Sequence, residues 1–289
     1  TFHHLHMDIK LLGDYLLGDS VGSGAQASVV LAEHLPSNEY FALKIYELNT
    51  DSERKGFRNE TESLAKLQNV PGILRAPKSF QADGKGVVVM EVMKSDLLDL
   101  VVEKKLNEQS TVQYFKQLCI AVKHMHDQDM AHLDIKPENC LIKDKTLKLC
   151  DFGNTISFRK NQYFKGRRGT RGYACPEMME DEPFCPKQAD MWSLGITLHI
   201  MLTGCFPFTE DGESKFCANN LTSFFMSHPH ISPLSINLLS HLLCAEPDFR
   251  YTIDQTLEHP FFSLYNKPTK PNTFKMVKKK LGRIVHNVC

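Results

Sequence analysis

His132-Leu133-Asp134-Ile135-Lys136-Pro137-Glu138-Asn139 is the stretch from which the rest of the chain becomes readable. Within it, Asp134, Lys136 and Asn139 offer a proton acceptor, a cation and a metal-ligating amide. Upstream, Val112, Phe115, Leu118, Val122 and Met125 recur every three or four residues, so the stretch follows a helix with one apolar face. Downstream, Leu141-Ile142 and Leu147-Lys148-Leu149 read as the two arms of a β-hairpin. That hairpin would return Asp151, of Cys150-Asp151-Phe152-Gly153, to the side of Asn139. An amide and a carboxylate beside phosphate oxygens suit Mg²⁺, which keeps its waters and takes few protein ligands. Asp134 would then accept the proton of an attacking hydroxyl, and Lys136 would offset charge on the transferred group. The plain alternative is a polar loop without chemistry.

Moving towards the N-terminus, residues 15–22, 27–34 and 39–47 alternate as strands, the last two joined by the turn Leu35-Pro36-Ser37-Asn38. Val87-Val88-Val89-Met90 reads as a buried strand, and residues 53–68 as a helix with Phe57, Leu64 and Leu67 on one face. Val21, Gly22, Ser23 and Gly24 join two strands and would let backbone lie over phosphates; a simple hairpin turn is the competing reading. The segment precedes a strand rather than a helix, which argues against a dinucleotide fold. Lys44, in Ala42-Leu43-Lys44, is a cation inside an apolar strand and needs an anionic partner. Glu60 lies four residues before Leu64 on the inward face of the helix and is the favoured partner; Glu62 reads as an outward surface pair with Lys66.

The chain has 289 residues, 42% apolar and 24% charged, which excludes a fibre or a disordered chain. The 34 basic and 34 acidic residues balance, so no global field favours nucleic acid, and no specific nucleic acid is expected. Residues 263–289 nevertheless carry seven basic residues and no acidic one, which leaves residues 1–262 acidic. No apolar run reaches the roughly 18 residues of a membrane span, and no secretory signal is legible. Nine cysteines, odd in number and without a C-x-x-C pair, read as reduced thiols of a cytoplasmic or nuclear protein. His3, His4 and His6 read as a loose terminus rather than a metal site.

In this order and spacing the motifs resemble the eukaryotic protein kinases over about residues 15–262, and the Lys136-Pro137-Glu138-Asn139 form resembles the serine/threonine type. The resemblance implies an α+β fold of two lobes. Residues 15–91 would form a small β-rich lobe and 92–262 a larger helical one, with an N-terminal extension (1–14) and a basic tail (263–289). It implies ATP and Mg²⁺ as cofactors and protein hydroxyls as acceptors. Residue by residue, Lys44 would bind the α/β-phosphates and pair with Glu60. Asp134 would be the catalytic base, Lys136 a γ-phosphate contact, and Asn139 and Asp151 the metal ligands. Met90 would be the gatekeeper, and Glu91 to Met93 the hinge that binds adenine. Asp96 would reach the ribose, with Val29 and Ala42 above the base and Leu141 below. Thr170 would bond near Asp134 and Lys136, Glu177 would pair with Arg250, and Asp190 would hold the catalytic loop. His259-Pro260-Phe261-Phe262 resembles the last helix of the family.

The chain departs from the pattern in places. Ala27 replaces a third glycine and Cys175 an alanine. Leu133 stands where regulated members carry an arginine that holds a phosphate on the activation segment. From Phe158 to Gly169 the only hydroxyl is Tyr163. Activity independent of phosphorylation in that segment is therefore expected. Residues 154–171 hold Arg159, Lys160, Lys165, Arg167, Arg168 and Arg171 and no acid. This is either a solvated loop or a surface for acidic or already phosphorylated substrates; Ile200, where basic-directed kinases carry glutamate, favours the latter. Cys150 reads as a core filler, with reactivity towards an electrophile in the nucleotide site as the alternative. In the tail, Phe274, Val277, Leu281, Ile284, Val285 and Val288 alternate with lysines at near-helical spacing. An anionic membrane, a calmodulin-like protein or the kinase domain itself could bind such a helix, or it could be a disordered end. A pseudokinase acting as an ATP-binding scaffold and a small-molecule kinase are the rival functions. The presence of Lys44, Glu60, Asp134, Asn139 and Asp151 weighs against the first, and the segment ending at Glu177 against the second.

Overall fold

Where the sequence alternates, the chain builds one antiparallel sheet. The computed structural model describes residues 10–24, 26–207 and 231–265. Its small lobe holds β1 (Leu11–Leu12), β2 (Tyr15–Ser23), β3 (Ser28–His34), β4 (Glu39–Tyr46), α1 (Asp51–Lys66), β5 (Lys78–Ala82) and β6 (Lys85–Met90). The sheet order is β1-β2-β3-β4-β6-β5. The sheet thus takes in Leu11 and Leu12, a few residues ahead of the expected start of the lobe, because they pair with Leu16 and Tyr15. One face buries Leu12, Tyr15, Leu43, Ile45, Val87 and Val89. The other packs Tyr46, Val88 and Met90 with Phe57 of α1 and Leu74.

Helix α1 starts earlier than its apolar periodicity suggests, because Thr50 caps it reciprocally with Glu53. Asp51 and Glu53 in its first turn and Lys66 in its last oppose the helix dipole favourably.

After Met90 the chain crosses into the larger lobe through β7 (Ser95–Asp96), α2 (Leu97–Val102) and α3 (Glu108–Asp127). All five apolar positions of the predicted α3 stripe are buried. Each such burial contributes about 1.5–3 kcal/mol, which explains why the periodicity was a sound guide. Then come β8 (Met130–Ala131), β9 (Cys140–Lys143), β10 (Thr146–Leu149) and β11 (Ile156–Ser157). The helices α4 (Pro176–Met179), α5 (Pro186–Thr203), α6 (Pro233–Leu242) and α7 (Ile253–Glu258) complete the described chain. Helix α5 is buried nearly all round and is the axis of the lobe. Pro260–Ser263 forms a 3₁₀ turn rather than the expected helix; His259 accepts the Phe261 N–H, and Pro260 starts a turn too short to propagate.

The backbone ties the lobes together at two places, in addition to side-chain contacts such as that of Lys66 with Ser157. Besides the crossing at Glu91, the segment before β5 is laced to the end of β10. Leu74 N–H donates to the Leu149 carbonyl (2.9 Å), and Leu149 N–H donates to that of Gly72 (2.8 Å). Gly72 adopts φ +82°, and a Cβ there would lie 2.8 Å from the Ala121 methyl of α3. No helix among the described residues is long and apolar enough to cross a membrane. The expected tail helix and the N-terminal histidines lie outside the described residues.

Candidate active site

Hairpin β9–β10, in register from Cys140–Leu149 to Lys143–Thr146, sets Asn139 and Asp151 on either side of its open end. Asn139 follows a 3₁₀ turn started by Pro137, and its carbonyl accepts the Cys150 N–H at 2.9 Å. The Asn139 amide donates through Nδ2 to the Asp134 carbonyl at 2.8 Å, so Oδ1 is turned away from that bond. Asp151 sits in the left-handed region (φ +64°), a conformation aspartate tolerates better than most residues. The next residue, Phe152, is fully buried and stands edge-on to His132, leaving the Asp151 carboxylate in the cleft.

Lys44 enters the same cleft from β4. Its Nζ lies 2.8 Å from Asp151 Oδ1 and 3.2 Å from Glu60 Oε2, and 5.4 Å from the Tyr46 ring centre. Burial acts to discharge the ammonium, but Glu60 and Asp151 outweigh it and hold the Lys44 pKa well above the usual lysine range. Burial raises the Asp151 carboxyl and Lys44 lowers it; the net direction is down. Glu60, fully buried and the more distant partner of the lysine, is pushed up by burial. Glu62 is exposed, and Lys66 turns instead to Ser157.

The catalytic-loop candidates are held from below. Asp190, wholly buried in α5, accepts the backbone N–H of His132 (2.9 Å) and of Leu133 (2.8 Å) and faces His126 Nε2 (3.0 Å). These bonds keep Leu133 at φ +61°, costly for a leucine, while its side chain is buried in the large-lobe core. His132 accepts the Asp134 N–H on Nδ1 (3.2 Å), so Nε2 carries the hydrogen it donates to the Cys150 carbonyl (3.0 Å). The ring thereby couples the Asp134 loop to the Asp151 turn, a role at which only adjacency along the chain hints. Asp134 Oδ1 accepts the Thr170 N–H at 2.9 Å. Lys136 Nζ donates to Thr170 Oγ1 at 2.7 Å and lies 3.5 Å from Asp134 Oδ2.

Around this polar floor, Val29, Ala42, Met93 and Leu141 gather with Met90, Ala27 and Cys150 in one apolar cluster. The hinge candidates follow directly: the Glu91 N–H is taken by Arg75, and the Glu91 side chain accepts Lys148 and the Arg75 N–H. Asp96 pairs with Leu141 across β7–β9 and also caps α2, accepting the Asp99 N–H at 2.8 Å. Val21, Gly22 and Ser23 run along exposed β2, and Gly24 N–H closes the turn on the Ala27 carbonyl at 2.8 Å. Glu177 and Arg250 meet side-on at 2.9 and 3.2 Å. One expectation is narrowed to its favoured reading and one changes. Burial pushes the Cys150 thiol well above its usual range, so it is a packing residue rather than a ready nucleophile. Ile200 is buried in the core and says nothing about substrate charge at the surface.

The donor set fits a magnesium–nucleotide complex. Asn139 Oδ1 and the Asp151 oxygen not bound to Lys44 would offer a magnesium ion two hard oxygen donors. No cluster of three or more acidic, histidine or cysteine side chains competes as a metal cage among the described residues. Residues 15–262 match the protein kinase domain family. The chain belongs to the protein kinase family. Among its relatives, the serine/threonine-protein kinase dkf-1 of Caenorhabditis elegans is 32% identical over 266 residues, covering 88% of this chain and 37% of its own. Serine/threonine-protein kinase D2 of Homo sapiens is 29% identical over 272 residues, covering 90% of this chain and 31% of its own. The chain thus spans about a third of these relatives' length. The resemblance of this kinase domain is to the serine/threonine branch, and the two-lobed α+β fold is the one that branch implies.

Proposed function

We propose that the domain transfers the γ-phosphoryl group of ATP to serine or threonine hydroxyls of proteins. The observation that carries this reading is the convergence of Lys44, Glu60 and Asp151 with the Asp134–Lys136–Thr170 group on one cleft. Asn139 and Asp151 would hold Mg²⁺, which when bound screens the phosphate charge and orients the triphosphate. Lys44 would bind the α/β-phosphates, kept charged and in place by its two carboxylates. The apolar cluster of Val29, Ala42 and Leu141 would sandwich the adenine, and backbone groups of Glu91 to Met93 would bond its edge. Thr170 fixes one oxygen of Asp134, leaving the other to take the proton of the acceptor hydroxyl. Lys136 would balance charge on the departing group.

The relatives named as serine/threonine kinases support the acceptor class. Basal activity would not require a phosphate on the activation segment, because Leu133 gives only apolar contact there. The basic residues 154–171 would favour acidic or phosphorylated substrates. Transfer of labelled phosphate to a mixed peptide library tests the reading. Asp134→Asn keeps the acceptor for Thr170 and should lower kcat by about 10²–10⁴-fold without unfolding the protein. A variant as active as wild type would sink it. Phosphatase treatment or Tyr163→Phe should leave turnover within about twofold; loss of turnover in a folded protein would remove the claim of independence.

A further inference from the structure

Helix α1 carries a glycine that its own geometry does not ask for. Gly56 is buried mid-helix with ordinary helical backbone, a place where glycine is disfavoured against alanine because it gives up more chain freedom on folding. A Cβ built there would lie 2.5 Å from Gln26 Oε1 and 3.4 Å from the Tyr46 ring. The space is thus taken by a side chain from the turn between β2 and β3. Gln26 Nε2 also donates to Ser52 Oγ at 3.1 Å, four residues before Gly56 on the same face of the helix. A Cβ on Gly153, the second residue after Asp151, would lie 3.9 Å from the same Oε1. Gly153 is itself held to α1, because its carbonyl accepts the Asn59 amide at 3.1 Å. Gln26 therefore meets two successive turns of α1 and ends beside the Asp151 turn. Its neighbours Ser23, Gly24 and Ala27 carry no side chain long enough to reach the helix.

We infer that Gln26 is a positioning residue: it latches the β2–β3 turn onto α1, so that the backbone proposed to lie over the phosphates moves with the helix that carries Glu60. This rests on the kinase reading above and deepens it. Val21 to Gly24 are exposed, and an exposed glycine-bearing turn samples many positions, only some of which cover a triphosphate. Nucleotide affinity falls with the fraction of time spent in the competent ones. A contact made by the turn's own side chain raises that fraction without touching the nucleotide. The contact has two halves. The Gln26 amide N–H bonds to Ser52, and the amide oxygen fills the space that Gly56 leaves free. The bare Cα of Gly56 is thus as much a part of the latch as Gln26. This accounts for the helix-interior glycine, which a solvated surface amide would leave unexplained. Asp134 and Lys136 take their bonds from Thr170 and not from this contact, so the effect falls on ATP binding rather than on proton transfer.

The test is the split between KM and kcat for ATP in the full chain, with a mixed peptide library as acceptor, beside a thermal melt. Gln26→Ala should raise the ATP KM about fivefold, the net worth of one hydrogen bond, and leave kcat within about twofold. Gly56→Ala should raise the same KM by a similar factor, because its methyl displaces the Gln26 amide. It should also raise Tm by about 2–4 °C, because alanine suits a helix interior better. A glycine with a purely structural role would not combine a firmer fold with weaker nucleotide binding. The double variant should be no worse than either single one, since both break one contact. An ATP KM unchanged in Gln26→Ala reduces the contact to a surface hydrogen bond and overturns the assignment. So does an unchanged KM in Gly56→Ala, or a double variant in which the two factors multiply. If no peptide is phosphorylated, the kinase reading fails separately. The latch is then judged by hydrogen exchange of the nucleotide-free protein at the Gly24 amide, which is bonded to the Ala27 carbonyl. Gln26→Ala and Gly56→Ala must each speed that exchange about fivefold for the assignment to stand.

Discussion

Gly169 shows how narrow the tolerance is at a single residue. It adopts φ +68°, and a Cβ built there would lie 2.1 Å from the Leu133 carbonyl oxygen and 3.1 Å from Asp134 Oδ1. No side chain fits without moving the loop segment that presents the Thr170 N–H to the proposed base. A displacement of about 1 Å can cost two orders of magnitude in rate. Gly169→Ala should therefore lower kcat at least about 100-fold while shifting Tm by only a few degrees, read by steady-state kinetics beside a thermal melt. Near-normal turnover would show that the Thr170–Asp134 bond is dispensable. The sequence marked Gly169 only as part of a motif; its need for a bare Cα comes from the carbonyl of a residue 36 positions away. The candidate site residues legible in the sequence, Lys44, Asp134, Asn139 and Asp151, are so because each is a polar group where the pattern wants an apolar one or a turn.

Secondary-structure elements divide in the same way. Strands β2, β3, β4 and β6 and helices α1 and α3 announce themselves because burial imposes a period over many residues. The two-residue pairs β8 and β11 do not, since a pair that short has no period, and they exist because the activation segment is drawn back beside the catalytic loop. The turn after α7 carries a pH dependence the sequence could not disclose. His259 accepts the Phe261 N–H, faces Asn237 at 3.0 Å and is largely buried; burial chiefly, and His241 secondarily, lower its pKa from 6.5 to about 4. Folding favours the neutral ring, so its stabilisation is complete above pH 6.5 and is lost as pH falls towards 4. His259→Gln should flatten that part of the stability profile relative to wild type, in urea melts across this range. Parallel profiles for the two proteins would count against it.

On the scale of the whole molecule, Glu177 and Arg250 tie the end of the activation segment to the far side of the large lobe. Arg250 is fully buried, stands 5.1 Å over the Trp192 ring and also donates to the carbonyls of Gln188, Cys244 and Ala245. Removing one member of a buried pair costs about 3–5 kcal/mol. Glu177→Gln should fall at the lower end, because those carbonyls and the new amide oxygen still receive the guanidinium. An unchanged denaturation midpoint would show the pair to be idle. The double attachment between lobes has a consequence for traffic through the cleft. Gly72 and Leu74 are laced to Leu149 at one place and the chain crosses at Glu91 at another, while Asn59 and Lys66 of α1 reach across to Gly153 and Ser157. Lys44 and Glu60 lie together on the swinging side and Asp151 on the stationary one. Under the proposed function, a parting of the lobes that frees nucleotide would break the 2.8 Å contact of the lysine and spare its 3.2 Å one.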